Sequence, residues 1–111
     1  MNPKVFLVQS EELGRGDRRL GLMLMANFLR LLGESENKPS SLIFLNTGVN
    51  LVCKGSEVLD HLKRLEEQGV EILACMTCLE YFDLLDNLEL GKPTTMLKSI
   101  QSMLDCNIVS L

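Results

Sequence analysis

Two cysteines three residues apart, Cys75-Met76-Thr77-Cys78, stand where the apolar run 70–74 ends and the helix-like segment Leu79-Glu80-Tyr81-Phe82 begins. Sulfur chemistry is easiest at such a junction. The first turn of a helix offers unpaired backbone N–H groups and the positive end of the helix dipole, and both favour a thiolate over a thiol. Thr77 and Glu80 have the T-x-x-E spacing of a capping box, which predicts Thr77 as the N-cap and Cys78 as the first helical residue. On that reading Cys78 is the activated sulfur, and Cys75 is its partner for exchange or relay. The competing explanation is packing, because small free cysteines are frequent in cores.

Thiols held this way need a strand to deliver them and a helix to receive the chain, and that alternation runs through the sequence. Residues 4–9 and 41–46 are apolar runs of strand length, as is 70–74. Between the first two lies a proline-free helical segment, 17–32, with Asp17 as N-cap and Gly33 just past its end. Its apolar residues cover nearly the whole circumference, which places it deep in the domain or against another subunit. The segment 46–55 is predicted as a loop carrying Cys53. A helix follows over 56–68, capped by Ser56 and stopped by Gly69, with Val58, Leu59, Leu62 and Leu65 on one face. After the short helix beyond Cys78, a brief fourth strand is predicted over 87–90. Pro93 with Thr94 or Thr95 opens a last helix whose apolar positions are Met96, Leu97, Ile100, Met103 and Leu104, and 106–111 is the final strand. The expected architecture is α/β, a three-layer α/β/α sandwich around a mainly parallel sheet of about five strands.

In such a sheet every strand-to-helix loop emerges at the carboxyl edge, where sites form. That rule gathers the loops 10–17, 46–56 and 75–78, so Cys53 is predicted on the same rim as Cys75 and Cys78, and Cys106 away from it. Three thiols on one rim could be a relay, a redox pair with a spare, or part of a metal site. Zinc usually takes four ligands, and His61 lies well along the second helix, so the set has no obvious fourth member. A thioredoxin-type dithiol also sits at a strand-to-helix junction. This chain lacks the aromatic and proline residues that bracket the motif there. Gly14-Arg15-Gly16-Asp17 has the look of a phosphate cradle, but it has neither the third glycine of a dinucleotide fingerprint nor the Gly-Lys-Ser/Thr of a P-loop. A tight turn into a helix needs the same glycines. Arg15, Arg18 and Arg19 either draw an anionic substrate to this helix start or form a solvated charged face.

With 111 residues the chain is expected to be a single domain, 1–111, large enough to bury a core without disulfides or metals. Its formal net charge is −4 and its basic residues do not gather, which argues against nucleic acid as a partner. No apolar run reaches membrane-span length and no signal-type segment opens the sequence, so a cytoplasmic location away from membranes is expected. In that reducing compartment four cysteines are expected to be free, catalytic or metal-bound. No cofactor is called for.

Taken together, Leu13-Gly14-Arg15-Gly16-Asp17, Phe44-Leu45-Asn46-Thr47-Gly48-Val49, Cys53-Lys54-Gly55-Ser56-Glu57-Val58-Leu59, Gly69-Val70-Glu71-Ile72-Leu73 and the Cys75-x-Thr77-Cys78-Leu79 stretch resemble the DsrE-like domain of the YedF family. The match keeps its order through most of the chain and is weakest after about Leu90. The resemblance implies a DsrE/DsrF-type α/β/α fold, a cysteine at the carboxyl edge that carries sulfur as a persulfide, a sulfur-donor or acceptor protein as partner, and a homo-oligomer. It further implies a link to selenium metabolism. Carried over by position, the matching residues are Cys75 and Cys78, with Cys53 as a third acceptor. Asn46, Thr47 and the Gly14-Arg15-Gly16 loop are expected to orient the anionic sulfur. YedF proteins usually begin with a TusA-like sulfur-carrier domain, whereas this sequence starts at the first strand, and Met76 replaces a small residue often found inside the motif.

Overall fold

Three apolar runs form the middle of one parallel sheet in the computed structural model, which describes residues 3–111; residues 1 and 2 lie outside the described part of the expected domain. They are β1 (Lys4–Val8), β2 (Ser41–Phe44) and β3 (Glu71–Cys75). Two shorter strands, β4 (Lys92–Thr94) and β5 (Asn107–Ser110), close the edges in the order β4-β3-β2-β1-β5. All four pairings are parallel. Central β2 is buried along its whole length, as a strand covered on both faces must be.

The helices are α1 (Arg18–Glu34), α2 (Leu59–Glu67), α3 (Met76–Tyr81) and α4 (Met96–Asp105). Successive steps from β1 to β4 all move the same way across the sheet, and the right-handed crossover rule then puts α1, α2 and α3 on one face. The step from β4 to β5 returns past β1, so α4 lies on the other. The packing agrees: Val8, Leu42, Phe44, Ile72 and Ala74 meet Met25, Leu29, Leu62 and Leu65 in the larger core, while Val5, Leu7 and Ile43 meet Met103 and Cys106 in the smaller one. The three-layer α/β/α arrangement expected from the sequence is the one present.

Several elements differ from expectation, each for a local reason. Asp17 does cap α1, its Oδ1 accepting from the Leu20 N–H at 2.8 Å. The helix runs through Gly33 instead of stopping before it. Gly21, Met25, Leu29 and Gly33 form its buried stripe, with Gly33 facing the Arg64 side chain of α2. Leu20, Met23, Leu24 and Leu31 point outward, so α1 is not deep in the domain. The segment expected to be a loop after β2 is a 3₁₀ helix, Asn46–Val52. Ser56 does not cap α2: its hydroxyl accepts from the Val58 N–H in a tight turn, and the helix begins after Val58. The strand expected over 87–90 is a single antiparallel bridge from Leu88 to Cys53, and β4 follows at Lys92–Thr94. Pro93 fits there because β4 is an edge strand, where a missing N–H costs no ladder bond. Finally, α4 buries Ser99, whose Oγ donates to the Thr95 carbonyl at 3.1 Å, and leaves Met96, Leu97, Ile100 and Leu104 exposed.

Candidate functional site

The register of the sheet sets the site. Val8 lies beside Phe44 and Phe44 beside Ala74, so the carboxyl ends of β1, β2 and β3 come level. Cys75, one residue further, pairs with Thr94 of β4. This pairing holds Cys75 in the strand while the chain turns at once into α3. Cys75 is therefore the N-cap, with φ −61° and ψ 120°, and Thr77 is not. The expected capping box is not used; α3 starts two residues earlier, which turns Leu79 into the core and brings Cys78 to the inner side of the first turn.

There Cys78 meets the loop leaving β2. Its sulfur accepts a hydrogen bond from the Asn46 backbone N–H at 3.1 Å. Asn46 reaches this orientation in the left-handed region, φ 51°, which Asn tolerates better than most residues. The next turn is fixed by Gly48, whose N–H donates to the Leu45 carbonyl and whose Cα lies against the end of β1. A Cβ there would sit 2.2 Å from the Val8 carbonyl oxygen, so only glycine fits. Sequence reasoning named Asn46 and Thr47 and passed over Gly48. A polar turn followed by glycine at a strand end was the available signal.

Burial pushes the Cys78 thiol above the ordinary cysteine range, against the lowering pull of the Asn46 N–H, and a hydrogen bond and charge repulsion with the Cys75 sulfur raise it further. The helix start alone does not yield a free thiolate here. Alkylation requires the thiolate, so the rate at Cys78 is expected to keep rising above about pH 8.5, where a free cysteine is half ionised. In Cys75→Ala the profile should move to lower pH, because the influences from Cys75 are removed. A wild-type profile at or below that of a cysteine peptide would refute this. Cys53 is raised by burial as well. For both thiols the unfolded chain loses its protons first, so stability is expected to fall as pH climbs past about 8.5 and toward the folded values.

The other predicted residues fall into two groups. Cys75 is 2% exposed and lies beside Cys78, which is half-buried. Cys53 is also 2% exposed, sealed under the bridge to Leu88. Among the described residues no three His, Cys, Asp or Glu side chains converge as metal ligands would. Cys53 follows the 3₁₀ turns after β2 and is buried in the larger core, as Cys75 is. Gly14, Arg15 and Gly16 line a separate open cleft with Gln9, Ser10 and Leu111. Gly14 and Gly16 have φ 85° and 123° with open space around them, so they serve the turn. Arg18 is held by Glu11 and Glu12 at 3.5 and 3.3 Å. Cys106 packs in the smaller core at the amino end of β5, away from the site as expected.

Solved structures share this fold over nearly the whole chain. The ychN protein of E. coli superimposes with a TM-score of 0.76 over 100% of both chains at 18% identity. The fold is DsrE-like. A protein of unknown function from Methanobacterium thermoautotrophicum matches at 0.72, with 20% identity and 97% of each chain covered. A conserved protein of unknown function from Bacteroides thetaiotaomicron matches at 0.65 and 16% identity, over 98% of this chain and 95% of that one. No family model matches the sequence, and no curated protein does. No helix in the described residues is long and apolar enough to cross a membrane.

Proposed function

We propose that this chain is a sulfur-relay protein of the YedF-like kind, acting as one domain over 1–111, in which Cys78 carries sulfane sulfur as a persulfide. The observation that supports this most directly is the Asn46 N–H aimed at the Cys78 sulfur. A persulfide is a stronger acid than its parent thiol, so the loaded form is the more readily ionised, and the fixed Asn46 donor offsets part of the cost of a charged sulfur in this half-buried place. In loading, the Cys78 thiolate attacks the outer sulfur of a donor persulfide; the donor S–S bond breaks and the donor leaves as a thiolate. In unloading, an acceptor thiolate attacks the outer sulfur of Cys78 and the Cys78 thiolate departs. Cys75 resolves the carrier when no acceptor comes: its attack on the inner sulfur forms a Cys75–Cys78 disulfide and expels hydrosulfide. The same steps serve selenium in place of the transferred sulfur.

Asn46 and Thr47 orient the charged sulfur in this scheme, and Gly14, Arg15 and Gly16 stand at the same sheet edge where an anionic donor approaches. Cys53 has no direct part, since its burial keeps it from a partner's sulfur. The donor or acceptor is a second protein, a TusA-like carrier being one such type, in the cytoplasm. The outward apolar faces of α1 and α4 favour a homo-oligomer, for which a monomer by light scattering across dilution is the contrary result. A dithiol redox protein is the second reading, favoured by the contact between Cys75 and Cys78.

The deciding experiment exposes the reduced protein to cysteine persulfide and maps the added mass by peptide analysis. One extra sulfur on the peptide bearing Cys78 supports the carrier. A Cys75–Cys78 disulfide with no persulfide at any stage, formed and reduced in turnover of a disulfide substrate, supports the redox protein and overturns the carrier.

A further inference from the structure

Cys78 is followed by apolar residues that the fold leaves uncovered. Tyr81 and Phe82 lie three and four positions beyond it, at the end of α3 one turn on, and Leu85 follows in the 3₁₀ turn after the helix breaks at Asp83. Tyr81 is 83% exposed, Phe82 36% and Leu85 41%. The two rings hold each other edge to face, with centroids 5.2 Å apart, so the pair is an ordered aromatic surface one turn from the sulfur. Around it stand Glu80, Asp83, Asp86 and Glu89, all exposed, with no basic residue between positions 79 and 91. None of the four has an ion-pair partner among the described residues, whereas Glu11, Glu12, Glu34 and Glu71 elsewhere are paired within the chain.

We infer that this stripe is the docking surface for a protein that exchanges sulfur with Cys78 and that presents its own cysteine beside apolar residues within a ring of lysines or arginines. The inference rests on the reading of Cys78 as the sulfur acceptor. Transfer requires the partner's sulfur to touch the Cys78 sulfur, and a helical turn advances only about 5.4 Å, so the partner covers the next turn as it reacts. Exposed Tyr and Phe at the centre of a patch with charge at its rim match the anatomy of a protein interface. The acidic rim selects the sign of the partner: opposite charge speeds encounter and like charge is rejected. A second copy of this chain, with its net charge of −4, is poorly suited to that rim.

The test uses three persulfide donors: free cysteine persulfide, a peptide whose cysteine persulfide is flanked by lysines, and the same peptide flanked by glutamates. Loading of Cys78 is followed by mass in the wild type, in Tyr81→Ser/Phe82→Ser, and in Glu80→Lys/Asp86→Lys. The lysine-flanked peptide is expected to load the wild type about tenfold faster than the glutamate-flanked one at low salt, with the gap closing as salt rises. Charge reversal should abolish or invert the preference, and loss of the rings should slow the lysine peptide. Free cysteine persulfide should load all three proteins alike, and their melting curves should agree. Equal loading by both peptides, or a preference unchanged in the variants, overturns the docking surface while leaving the carrier intact. Failure of free cysteine persulfide to load the wild type instead removes the carrier reading beneath it. A smaller assembly on gel filtration for the Tyr81→Ser/Phe82→Ser protein would give the stripe to a second copy and overturn the proposal.

Discussion

Gly48→Ala is expected to cost about 3 kcal/mol of folding stability, at the upper end for adding one carbon to a packed position. A domain of this size has roughly 5–15 kcal/mol in total, so the melting temperature should drop by on the order of 10 °C. The reason is what the new methyl group meets. Its neighbours would be the Val8 carbonyl oxygen at 2.2 Å, the Val8 carbonyl carbon at 3.1 Å and the Ser10 nitrogen at 3.3 Å, all main-chain atoms. Val8 belongs to β1, which is paired on both sides and cannot retreat. Relief must come from the other partner, by lifting the 3₁₀ segment away. That movement would draw the Asn46 N–H from the Cys78 sulfur, so the variant should also alter alkylation at Cys78. Gly55→Ala is the control: its φ of 92° makes any side chain strained, yet nothing lies within 4 Å. It should lose about 1 kcal/mol. Thermal melting of the two variants checks the argument, and a Gly48→Ala protein as stable as Gly55→Ala would refute it.

The largest functional effect is expected at the two thiols. Cys78→Ser should take up no sulfur from cysteine persulfide, because the hydroxyl that replaces the thiol is not a nucleophile toward sulfur at neutral pH and Cys75 is too buried to serve. Cys75→Ser should load as completely as the wild type and keep its sulfur several-fold longer. The difference arises because only Cys75 lies close enough to attack the inner sulfur of the loaded Cys78 and expel hydrosulfide. Cys53→Ser tests the core, since it puts a hydroxyl where a buried thiol sits; it should melt lower and load normally. Loading followed over time by intact mass separates uptake from retention. Uptake that survives in Cys78→Ser and disappears in Cys75→Ser would exchange the two roles.

Much of this arrangement is legible in the residues. Uninterrupted apolar runs such as Leu42-Ile43-Phe44 announce strands buried on both faces, and their alternation with helical segments gives the parallel sheet and its carboxyl edge. The placement of Cys75 and Cys78 at that edge follows. Their exact phase does not, because Thr77 and Glu80 have the spacing of a local cap while the pairing of Cys75 with Thr94 is a contact across 19 residues that no local pattern reveals. The burial of Cys53 is not legible for a related reason: residues 46–52 carry no helical stripe, so their 3₁₀ winding, and with it the bridge to Leu88, is set by the packing of Val49, Leu51 and Val52. Gly33 and Pro93 each carry a strong punctuation signal, overridden by a place on the buried stripe of α1 in one case and an edge position in the other.

The pairing of β1 with β5 has a consequence for how the chain is made. Lys4 to Leu7 lie opposite Asn107 to Ser110, so β1 is made well before the strand that covers its outer flank. Until more than a hundred residues have followed it, β1 has β2 on one flank and an open row of backbone donors and acceptors on the other, available to any extended chain nearby. A four-stranded form without β5 would have as its exposed edge the strand that carries Val8 to the sulfur site. Any delay in docking β5 would lengthen the life of that open edge, and the yield of native protein should fall with it.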